Sequence, residues 1–518
     1  MNFNEELDIA LRSRFTLIGI RSFEEERILE SIKQLCEKSG RQCYLWDHAD
    51  FFQSLSSNGS SAPAAKDPLS ALEHIEKIHG EAVIVLRDFH QCWHNQPRII
   101  RKLRSLAQQL KYTRKTIVIT YPTSQIPEEI KDDIVQIDLP LPDALQMKKI
   151  LKNLLKAPGT KFKLTSKEYN MIIQSALGLS SNQAQRVFSR AIVSEGELNA
   201  KDIDDIKNEK KLIIKQSGAL DLFSSHETIK DVGGLELLKK WLRMRKRAFA
   251  PDAQQYGLPA PKGIALIGIP GTGKSLTAKM VADLWGLALI RLDIGALFGS
   301  LVGQSEERTR HALKLAEAVA PCVLWIDEIE KGLSTGSGDG GTSMRVFGSI
   351  LSWMQEKTKP VFIVATANNI ELLPPELLRR GRFDEIFFLD LPTNSEREEI
   401  FKVHIRKRAR DPKNFEIAKL AHESEGYVGA EIEQTIIDAM YIAFNDPKKP
   451  SREFTTEDVL EALAKLIPLS KSQKEIINAL REWMIEGRAQ SASFSEAAEA
   501  QKWYVDIQLD PVNQIGTA

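Results

Sequence analysis

The amino-acid sequence predicts an α/β protein built on parallel sheets. Short apolar runs such as Ala82–Leu86 and Val361–Ala365 match the buried strands of a parallel sheet. The tetrapeptide LIGI occurs twice, at Leu17–Ile20 and Leu266–Ile269, each time in an apolar segment that runs toward a predicted helix. We therefore expect two related α/β modules in one chain.

The composition is that of an ordinary globular protein. At 518 residues the chain is too long for one core, and a prior of about 150 residues per domain suggests several units. Lys plus Arg equals Asp plus Glu, at 70 each, so no overall field favours nucleic acid or an anionic membrane. The apolar runs are too short for membrane insertion. The four cysteines lie far apart and lack CxxC spacing, which argues for a reducing compartment.

The two halves of the chain resemble each other beyond LIGI. Similar landmarks follow in the same order at nearly constant spacing, which indicates an old duplication. The alternative is that any two α/β nucleotide folds share the spacing of strand, turn and helix. The matched segments are Tyr44–Asp47 with Ile290–Asp293, the run ending at Asp88 with the run ending at Asp327 and Glu328, Ile117–Thr120 with Ile363–Thr366, and Asp138–Pro140 with Asp390–Pro392.

Composition also suggests where the domains begin and end. A charged helical run from Lys201 to Lys215 leads into the second module, and a later stretch shows helical periodicity with little strand character. The predicted divisions are a degenerate module at 1–200, a linker at 201–225, an α/β core at 226–392, a helical lid at 393–469, and a terminal helix with a polar tail at 470–518.

The second LIGI continues as PGTGKS, which gives the pattern Gly268-x-x-x-x-Gly273-Lys274-Ser275. A glycine-rich loop between a strand and a helix can cradle nucleotide phosphates with its backbone N–H groups. Lys274 is placed to neutralise charge on the β- and γ-phosphates of ATP, and the Ser275 hydroxyl can bind Mg²⁺. The predicted cradle consists of Gly268, Ile269, Pro270, Gly271, Thr272, Gly273, Lys274, Ser275 and Leu276.

Two adjacent carboxylates follow the apolar strand Val323–Ile326, at the end where ligands bind in open α/β sheets. We expect Asp327 to hold the magnesium ion, usually through water, and Glu328 to polarise an attacking water. An Asp-Glu pair alone is common, but one after a buried strand about 50 residues beyond a phosphate loop is specific. The sequence therefore predicts a site for ATP hydrolysis.

The first LIGI continues as RSFEEE. Superposing the two copies places Glu24–Glu26 where Gly273–Ser275 stand, so the first loop offers negative charge to a polyphosphate. Asp88 would then occupy the position of a magnesium-binding carboxylate without a lysine beside it. We predict no ATP hydrolysis in the first module, and expect it to be structural, to dock a partner, or to help to build a ring.

Residues from about Thr228 to Pro468 resemble a module of the AAA ATPase clade. The resemblance implies ATP bound between neighbouring subunits of an oligomeric ring, usually a hexamer. It is carried by DVGG at Asp231–Gly234, GIPGTGKS, VLWIDEIE, ATAN at Ala365–Asn368, LLRRGRFDEIFFLDLP, and GYVGAEIEQ at Gly426–Gln434.

The resemblance also implies roles for individual residues. Asn368 matches the sensor that contacts the attacking water or the γ-phosphate, and Arg379 and Arg382 match paired arginine fingers that reach a neighbour's site. The first pore loop commonly has an aromatic residue in this clade, whereas Leu301 stands there in this sequence. The residues that match the surroundings of the adenine and ribose are Val232, Gly233, Gly429 and Ala430.

The whole chain is similar to a narrower family, encoded in cyanobacteria and algal plastid genomes as hypothetical chloroplast frame forty-six. A degenerate first module followed by one intact AAA module is typical of that family. The resemblance points to a photosynthetic cell, and to its cytoplasm or its plastid stroma.

These observations favour an ATP-hydrolysing remodelling factor that acts on an unidentified protein client as a nucleotide-dependent oligomer. The alternative is an ATP-gated assembly scaffold with little turnover. Nucleic acid is the disfavoured partner, because the basic runs Leu242–Arg247 and His404–Arg410 have the spacing of solvated helix faces.

Overall fold

The computed structural model has two compact units, Met1–Ile206 and Lys207–Ala518. Each unit contains a mostly parallel sheet packed against helices, which confirms the predicted α/β class. No described helix is long and apolar enough to cross a membrane. The structure describes residues 2–55, 65–122, 126–156, 161–162, 164–195, 197–198, 202–215, 218–223, 227–249, 253, 255–297, 304–332, 342–379 and 381–493.

The first unit is built on a six-stranded sheet. Its strands are β1 (Leu17–Arg21), β2 (Gln42–Asp47), β3 (Phe51–Ser54), β4 (Ala82–Arg87), β5 (Lys115–Tyr121) and β6 (Ile134–Asp138). They lie in the order β3-β2-β4-β5-β1-β6, and every pair except β2 with β3 is parallel. Two short strands, β7 (Lys161–Phe162) and β8 (Glu197–Leu198), pair separately.

Helices bury the apolar residues of this sheet in two clusters. One cluster surrounds Trp46, and the other surrounds Ile18. The helices of the first unit are Phe3–Arg12, Glu25–Ser39, Pro68–Lys77, His90–Trp93, Pro97–Gln109, Ala144–Leu155, Ser166–Ala176 and Ser181–Glu195, and Asp202–Lys215 crosses the boundary between the units.

The second unit is built on a seven-stranded sheet. Its strands are β9 (Leu220–Phe223), β10 (Gly263–Gly268), β11 (Ala288–Leu292), β12 (Cys322–Ile326), β13 (Val361–Ala367), β14 (Glu385–Leu389) and β15 (Gln490–Ser491). They lie in the order β15-β14-β10-β13-β12-β11-β9, and only β9 is antiparallel to its neighbour.

The two edge strands of this sheet come from segments that the sequence placed outside the core. β9 lies in the expected linker at 201–225, and β15 lies in the expected tail at 470–518. Neither short strand has a periodicity that could identify it, because an edge strand is specified by the backbone groups of its neighbour. The helix Lys474–Trp483 is held next to the sheet by Arg481, whose Nε lies 3.0 Å from Asp390 Oδ1.

The remaining elements of the second unit are helical. Within the α/β core, the helices are Glu236–Arg245, Lys274–Trp285, Ile294–Leu297, Gln304–Val319 and Thr342–Glu356. The lid contains Asn394–Lys407, Ile417–Glu423, Gly429–Phe444 and Thr456–Lys465, followed by the short helix Leu469–Ser472.

The lid has its own apolar core, centred on Phe401, Leu420 and Ile436. Its first helix begins after Thr393, which forms a capping box with Glu396. Glu396 Oε1 also accepts a hydrogen bond from the Leu235 N–H at 2.9 Å. One carboxylate therefore caps the lid and ties it to the segment that precedes the core.

The sheet registers agree between the two units at three strands. Tyr44 pairs with Ile84 in the first unit, and the matched residue Ile290 pairs with Leu324 in the second. Ile84 pairs in turn with Ile117, and Leu324 with Ile363. These matches are the ones that the sequence landmarks predict, and they support a duplication.

Close backbone contact fixes the start of β10. A Cβ on Gly263 would lie 2.4 Å from the Ile363 carbonyl oxygen, whereas a Cβ on Gly257 would meet nothing within 4 Å. Both glycines have positive φ. We predict that Gly263→Ala lowers the free energy of unfolding by about 3 kcal/mol, and the control Gly257→Ala by about 1 kcal/mol. Urea unfolding of the two variants measures the difference, and equal losses would contradict the contact.

Candidate functional site

A strand, a loop and a helix form the predicted phosphate cradle. β10 ends at Gly268, and the next helix begins at Lys274, whose first turn leaves backbone N–H groups without intrahelical partners. Gly273 precedes the helix with a φ of 93°, a conformation that favours glycine. A Cβ on Gly271 would lie 2.8 Å from Val428 Cγ2. The loop therefore has exposed backbone N–H groups of the kind that bind anions.

The Lys274 side chain is buried next to this loop, with 7% of its surface exposed. Its Nζ donates hydrogen bonds to the carbonyls of Gly268 and Ile269, at 2.7 and 2.8 Å. Burial lowers the pKa of Lys274 to about 8, although nearby carboxylates, Glu330 foremost, oppose the shift. The ammonium group thus lacks water, and phosphate oxygens could replace its hydration.

Asp327 lies at the carboxyl end of β12 and joins two hydroxyl groups. Its Oδ1 accepts hydrogen bonds from Ser275 Oγ at 3.1 Å and from Thr366 Oγ1 at 2.8 Å. Arg291 Nη2 lies 3.9 Å from Asp327 Oδ2. The structure therefore brings the two predicted magnesium ligands together. Thr366 was not predicted, although it stands two residues before the predicted sensor in ATAN.

These oxygen groups fit a magnesium nucleotide. Among the described residues, no group of three or more His, Cys, Asp or Glu side chains could hold a metal ion by itself. A hard cation that keeps several waters needs few protein oxygens when phosphates supply others. Ser275 and Asp327 match that requirement.

Glu328 and Asn368 are in direct contact. Asn368 Nδ2 donates to Glu328 Oε1 at 3.0 Å, and the Glu328 N–H donates to Thr366 Oγ1 at 2.9 Å. Glu328 has a φ of 49°, a strained conformation for a residue with a side chain. Lys331 forms an ion pair with the other carboxylate oxygen of Glu328, and this contact raises the pKa of Lys331. The predicted base is therefore aimed by its backbone and held by two side chains.

Glu330 belongs to the site but was not predicted from the sequence. Its side chain is buried, and Oε1 accepts a hydrogen bond from the Asn368 N–H at 2.8 Å. Its Oε2 is buried without a hydrogen-bond partner among the described residues. The sequence carried a signal, because Glu330 is the third acidic residue of the DEIE segment. It holds the sensor backbone and balances the charge of Lys274.

The lid touches the phosphate loop. The Ala430 N–H donates to the Gly271 carbonyl at 3.1 Å. A Cβ on Gly429 would lie 3.6 Å from the same oxygen. The predicted lid residues are thus adjacent to the cradle. A change in the backbone conformation of the loop would therefore move the lid.

The predicted adenine-binding residues lie against the first helix of the lid. A Cβ on Gly233 would lie 2.8 Å from Ile400 Cγ1, which requires glycine there. Val232 is buried, and its carbonyl accepts a hydrogen bond from Lys239 Nζ at 2.8 Å. This segment is therefore fixed between the α/β core and the lid.

The predicted arginine fingers lie at the amino-terminal end of the parallel strands, opposite the phosphate loop. Arg379 is exposed, and Arg382 donates to the Glu376 carbonyl. They precede β14, whose first residue, Glu385, pairs with Ile264 near the start of β10. The phosphate loop follows the far end of β10, roughly 13 Å away along a strand that rises about 3.3 Å per residue. The structure does not bring these arginines to the site of their own chain.

The corresponding loop of the first unit is shorter than the sequence superposition assumed. Ile117 in β5 pairs with Leu17, whereas the matched Ile363 in β13 pairs with Gly263. Leu17 therefore corresponds to Gly263 and not to Leu266, a difference of three positions (266 against 263). The two LIGI segments occupy different places, and the first loop lacks three residues of the cradle.

The first unit also exchanges the signs of two charges. Glu25 begins its helix, as Lys274 does in the second unit. Arg87 stands in the position of Asp327, and its Nε lies 3.6 Å from Glu25 Oε2. Burial raises the pKa of Glu25, while Arg87 lowers it. A carboxylate therefore stands at the helix start where the second unit has its buried lysine.

The expectation that Asp88 occupies the magnesium-binding position is wrong. Asp88 corresponds to Glu328, and the two have φ of 48° and 49°. The Asp88 N–H donates to the Thr120 carbonyl, at the end of the neighbouring strand. The first unit therefore shares the strained turn of the second, but it has Arg87 where the second has Asp327.

The second unit has the fold of an AAA domain. Residues 264–391 match the family model described as ATPase family associated with various cellular activities. Residues 3–139 match the N-terminal domain of SpoVK-like AAA ATPases, and residues 145–217 match the second domain of the same group.

Similar proteins extend over almost the whole chain. The AAA domain-containing protein ycf46 of Pyropia yezoensis is 43% identical over 503 residues, 96% of this chain and 100% of the relative. The protein of the same name from Guillardia theta is 41% identical over 501 residues, 95% of this chain and 97% of the relative. This chain belongs to the ycf46 family of AAA proteins, which confirms the resemblance found in the sequence.

A more distant relative matches about half of the chain. The proteasome-activating nucleotidase of Saccharolobus islandicus is 31% identical over 265 residues, 49% of this chain and 66% of the relative.

The buried charge of Lys274 predicts an unusual effect of pH. Its folded pKa of about 8 lies below the ordinary value of 10.5, so the unfolded chain binds more protons between these pH values and stability rises with pH. Below pH 8 the charge should destabilise the protein without nucleotide by about 3 kcal/mol. Lys274→Met should therefore stabilise it at pH 7, with the gain vanishing near pH 10.5.

Urea unfolding from pH 7 to pH 10 tests this expectation. Lys240→Met is the matched control, because Lys240 is exposed on the helix Glu236–Arg245. A Lys274→Met protein less stable than the parent at pH 7 would show that the lysine is not under this stress.

Proposed function

We propose that this AAA protein hydrolyses ATP as a ring oligomer and uses the energy to remodel a protein client. A hexamer is the ring size that the family resemblance implies. The observation that carries the proposal is the division of the site. One group of site residues lies at the carboxyl ends of the parallel strands, namely Lys274, Asp327, Glu328 and Asn368. The two arginines lie at the opposite ends of the strands. A second subunit is then needed to complete each site, and a ring supplies one.

The proposed reaction begins with ATP on the loop from Gly268 to Leu276. Lys274 contacts the β- and γ-phosphates, and Val232, Gly233, Gly429 and Ala430 enclose the base and ribose. Ser275 and Asp327 would hold Mg²⁺, which when bound neutralises phosphate charge.

Glu328 then accepts a proton from the attacking water, which Asn368 helps to orient. Arg379 and Arg382 of the neighbouring subunit offset the charge that develops on the transferred phosphoryl group. Lys331 must release Glu328 before this carboxylate can act, since an ion pair weakens a base.

The contact between the lid and the loop supports coupling of hydrolysis to movement. The hydrogen bond from Ala430 to the Gly271 carbonyl joins the lid to the backbone that would surround the phosphates. Loss of the γ-phosphate would relax that backbone and shift the lid. The predicted pore-loop residue Leu301 lies outside the described residues.

A protein client is supported by the relatives. One of them is named a nucleotidase that activates a proteasome. The compartment, cytoplasm or plastid stroma, remains a prediction from family resemblance.

We predict that Glu328→Gln binds ATP and stalls, because the amide cannot accept the proton from water. Its hydrolysis rate should fall by about 10²-fold or more, while Lys274→Ala should lose nucleotide binding altogether. Steady-state ATPase assays and binding of a fluorescent nucleotide separate the two effects. Glu356→Gln, at an exposed glutamate, is the control. A Glu328→Gln protein that hydrolyses ATP at the parent rate would refute the assignment. A client that stays bound to the stalled Glu328→Gln protein could then be isolated with it and identified.

We also predict that the arginines act on a neighbour. The double variant Arg379→Ala/Arg382→Ala and the variant Lys274→Ala should each be inactive alone. Mixed in equal amounts, they should recover roughly a quarter of the parent activity, because that share of interfaces joins an intact loop to intact arginines. Fluorescence transfer between labelled subunits would verify mixing. Mixed rings without activity would refute action in trans.

The second candidate is an ATP-gated scaffold with little turnover. The ion pair between Lys331 and Glu328 favours it, because a base held in this way would act slowly. ATPase activity that rises when a client is added supports the remodelling factor. ATP-dependent oligomer size on gel filtration without such activity supports the scaffold.

A further inference from the structure

The strongest unexplained charge lies in the first unit, on the helix Pro97–Gln109 and the turn that follows it. Residues 97–115 contain seven Lys and Arg and no Asp or Glu, in a chain whose total charge is zero. The basic residues are Arg98, Arg101, Lys102, Arg104, Lys111, Arg114 and Lys115. Such a local excess creates a positive surface potential that attracts anionic partners.

Three of these residues do have structural partners. Lys102 Nζ lies 2.7 Å from Glu76 Oε1, and Arg114 pairs with Glu81. Lys115 is buried, and its Nζ donates to the carbonyl of Ile75 at 3.2 Å.

The other four are exposed and unpaired. Within the described residues, no hydrogen bond or ion pair is formed by the side chains of Arg98, Arg101, Arg104 or Lys111. Three-residue spacing places the arginines along one side of the helix, and the row to Lys111 spans roughly 20 Å at about 1.5 Å per residue. We refer to Arg98, Arg101, Arg104 and Lys111 as the basic row.

Acidic residues of the packed elements do not neutralise the basic row. Glu76 is engaged by Lys102, and Glu128 forms an ion pair with Lys131. Glu73 and Glu129 are exposed, and neither forms an ion pair with the row among the described residues. The positive charge of the basic row is therefore exposed to solvent and is not neutralised by these acidic residues.

The neighbouring side chains indicate which polyanion would bind. Gln108 and Gln109 are exposed, and Tyr112 is 92% exposed at the end of the row. A free aromatic ring stacks on an unpaired base, and amides can hydrogen-bond to base edges. Guanidinium groups match phosphate geometry with paired hydrogen bonds.

Other anionic partners fit less well. The apolar residues of this helix, including Ile99, Leu103 and Leu106, are buried in the first unit, so the helix has no face to insert into a membrane. An acidic peptide would match the charge but leave the exposed ring without a role.

We propose that the basic row and Tyr112 bind single-stranded nucleic acid. This inference goes beyond the proposed function and does not require ATP hydrolysis. It revises the expectation that nucleic acid is the disfavoured partner. That expectation considered only the basic runs Leu242–Arg247 and His404–Arg410. Basic residues of those two runs have partners, since Arg245 stacks on Trp241 and Arg408 Nη2 lies 3.1 Å from Glu433 Oε1.

The test is fluorescence anisotropy of the full chain with a labelled single-stranded RNA of about 20 nucleotides, and with its DNA equivalent, at several salt concentrations. The variant Arg98→Gln/Arg101→Gln/Arg104→Gln should bind at least tenfold more weakly. Its slope of log affinity against log salt should be smaller by about 2, because three phosphate contacts contribute about 0.7 each.

The control variant is Arg12→Gln/Arg243→Gln/Arg410→Gln, which removes the same charge from surface ion pairs elsewhere. It should bind as the parent does, and both triple variants should keep parent ATPase activity. Tyr112→Ala should weaken binding about fivefold or more, whereas Tyr256→Ala, at a similarly exposed tyrosine, should not.

Several results would overturn the proposal. These are no binding by the parent protein, equal loss in the two triple variants, or preference for a duplex of the same sequence. Binding of poly-glutamate or of phosphatidylserine vesicles that depends on the three arginines, without oligonucleotide binding, would assign the surface to another class of partner. None of these outcomes bears on ATP hydrolysis, so the two proposals fail independently.

Discussion

A positive charge buried at Lys274 is the constraint on which the nucleotide site depends. An ammonium group out of water is costly unless opposite charge or hydrogen-bond acceptors surround it. The loop carbonyls and the nearby acids, above all Glu330, supply that compensation only in part, as the lowered pKa of Lys274 shows. The buried lysine is therefore under electrostatic stress that the phosphates of a nucleotide would relieve.

The same acids also organise the rest of the site. Asp327 connects the phosphate-loop helix to β13 through Ser275 and Thr366, and Glu330 holds the backbone of Asn368. Groups that balance the lysine thus also fix the predicted ligand and sensor. This sharing explains why the carboxyl ends of β10, β12 and β13 must keep their relative register.

The first unit shows what happens when the constraint is removed. Its loop is three positions shorter, and Glu25 pairs with Arg87 where the second unit has Lys274 and Asp327. The sheet persists because its stability comes from buried strands and not from the loop. The Glu25–Arg87 pair does not favour a polyphosphate there, so we expect a distinct role of this unit to depend on other surfaces, such as the basic row.

The sequence by itself determined the α/β class, the two modules, the phosphate loop and the Asp327-Glu328 pair, because these depend on short-range patterns of apolar runs, glycines and carboxylates. It missed Glu330 and Thr366, whose importance comes from contacts across neighbouring strands. It also misaligned the two LIGI segments, since a repeated tetrapeptide does not reveal which residues pair across a sheet. Tertiary structure alone decided that β9 and β15 complete the sheet, and that Arg379 and Arg382 lie at the end of the strands opposite their own phosphate loop. The physical reason is that hydrogen-bond register and the direction of parallel strands are properties of paired segments, and no single segment contains them.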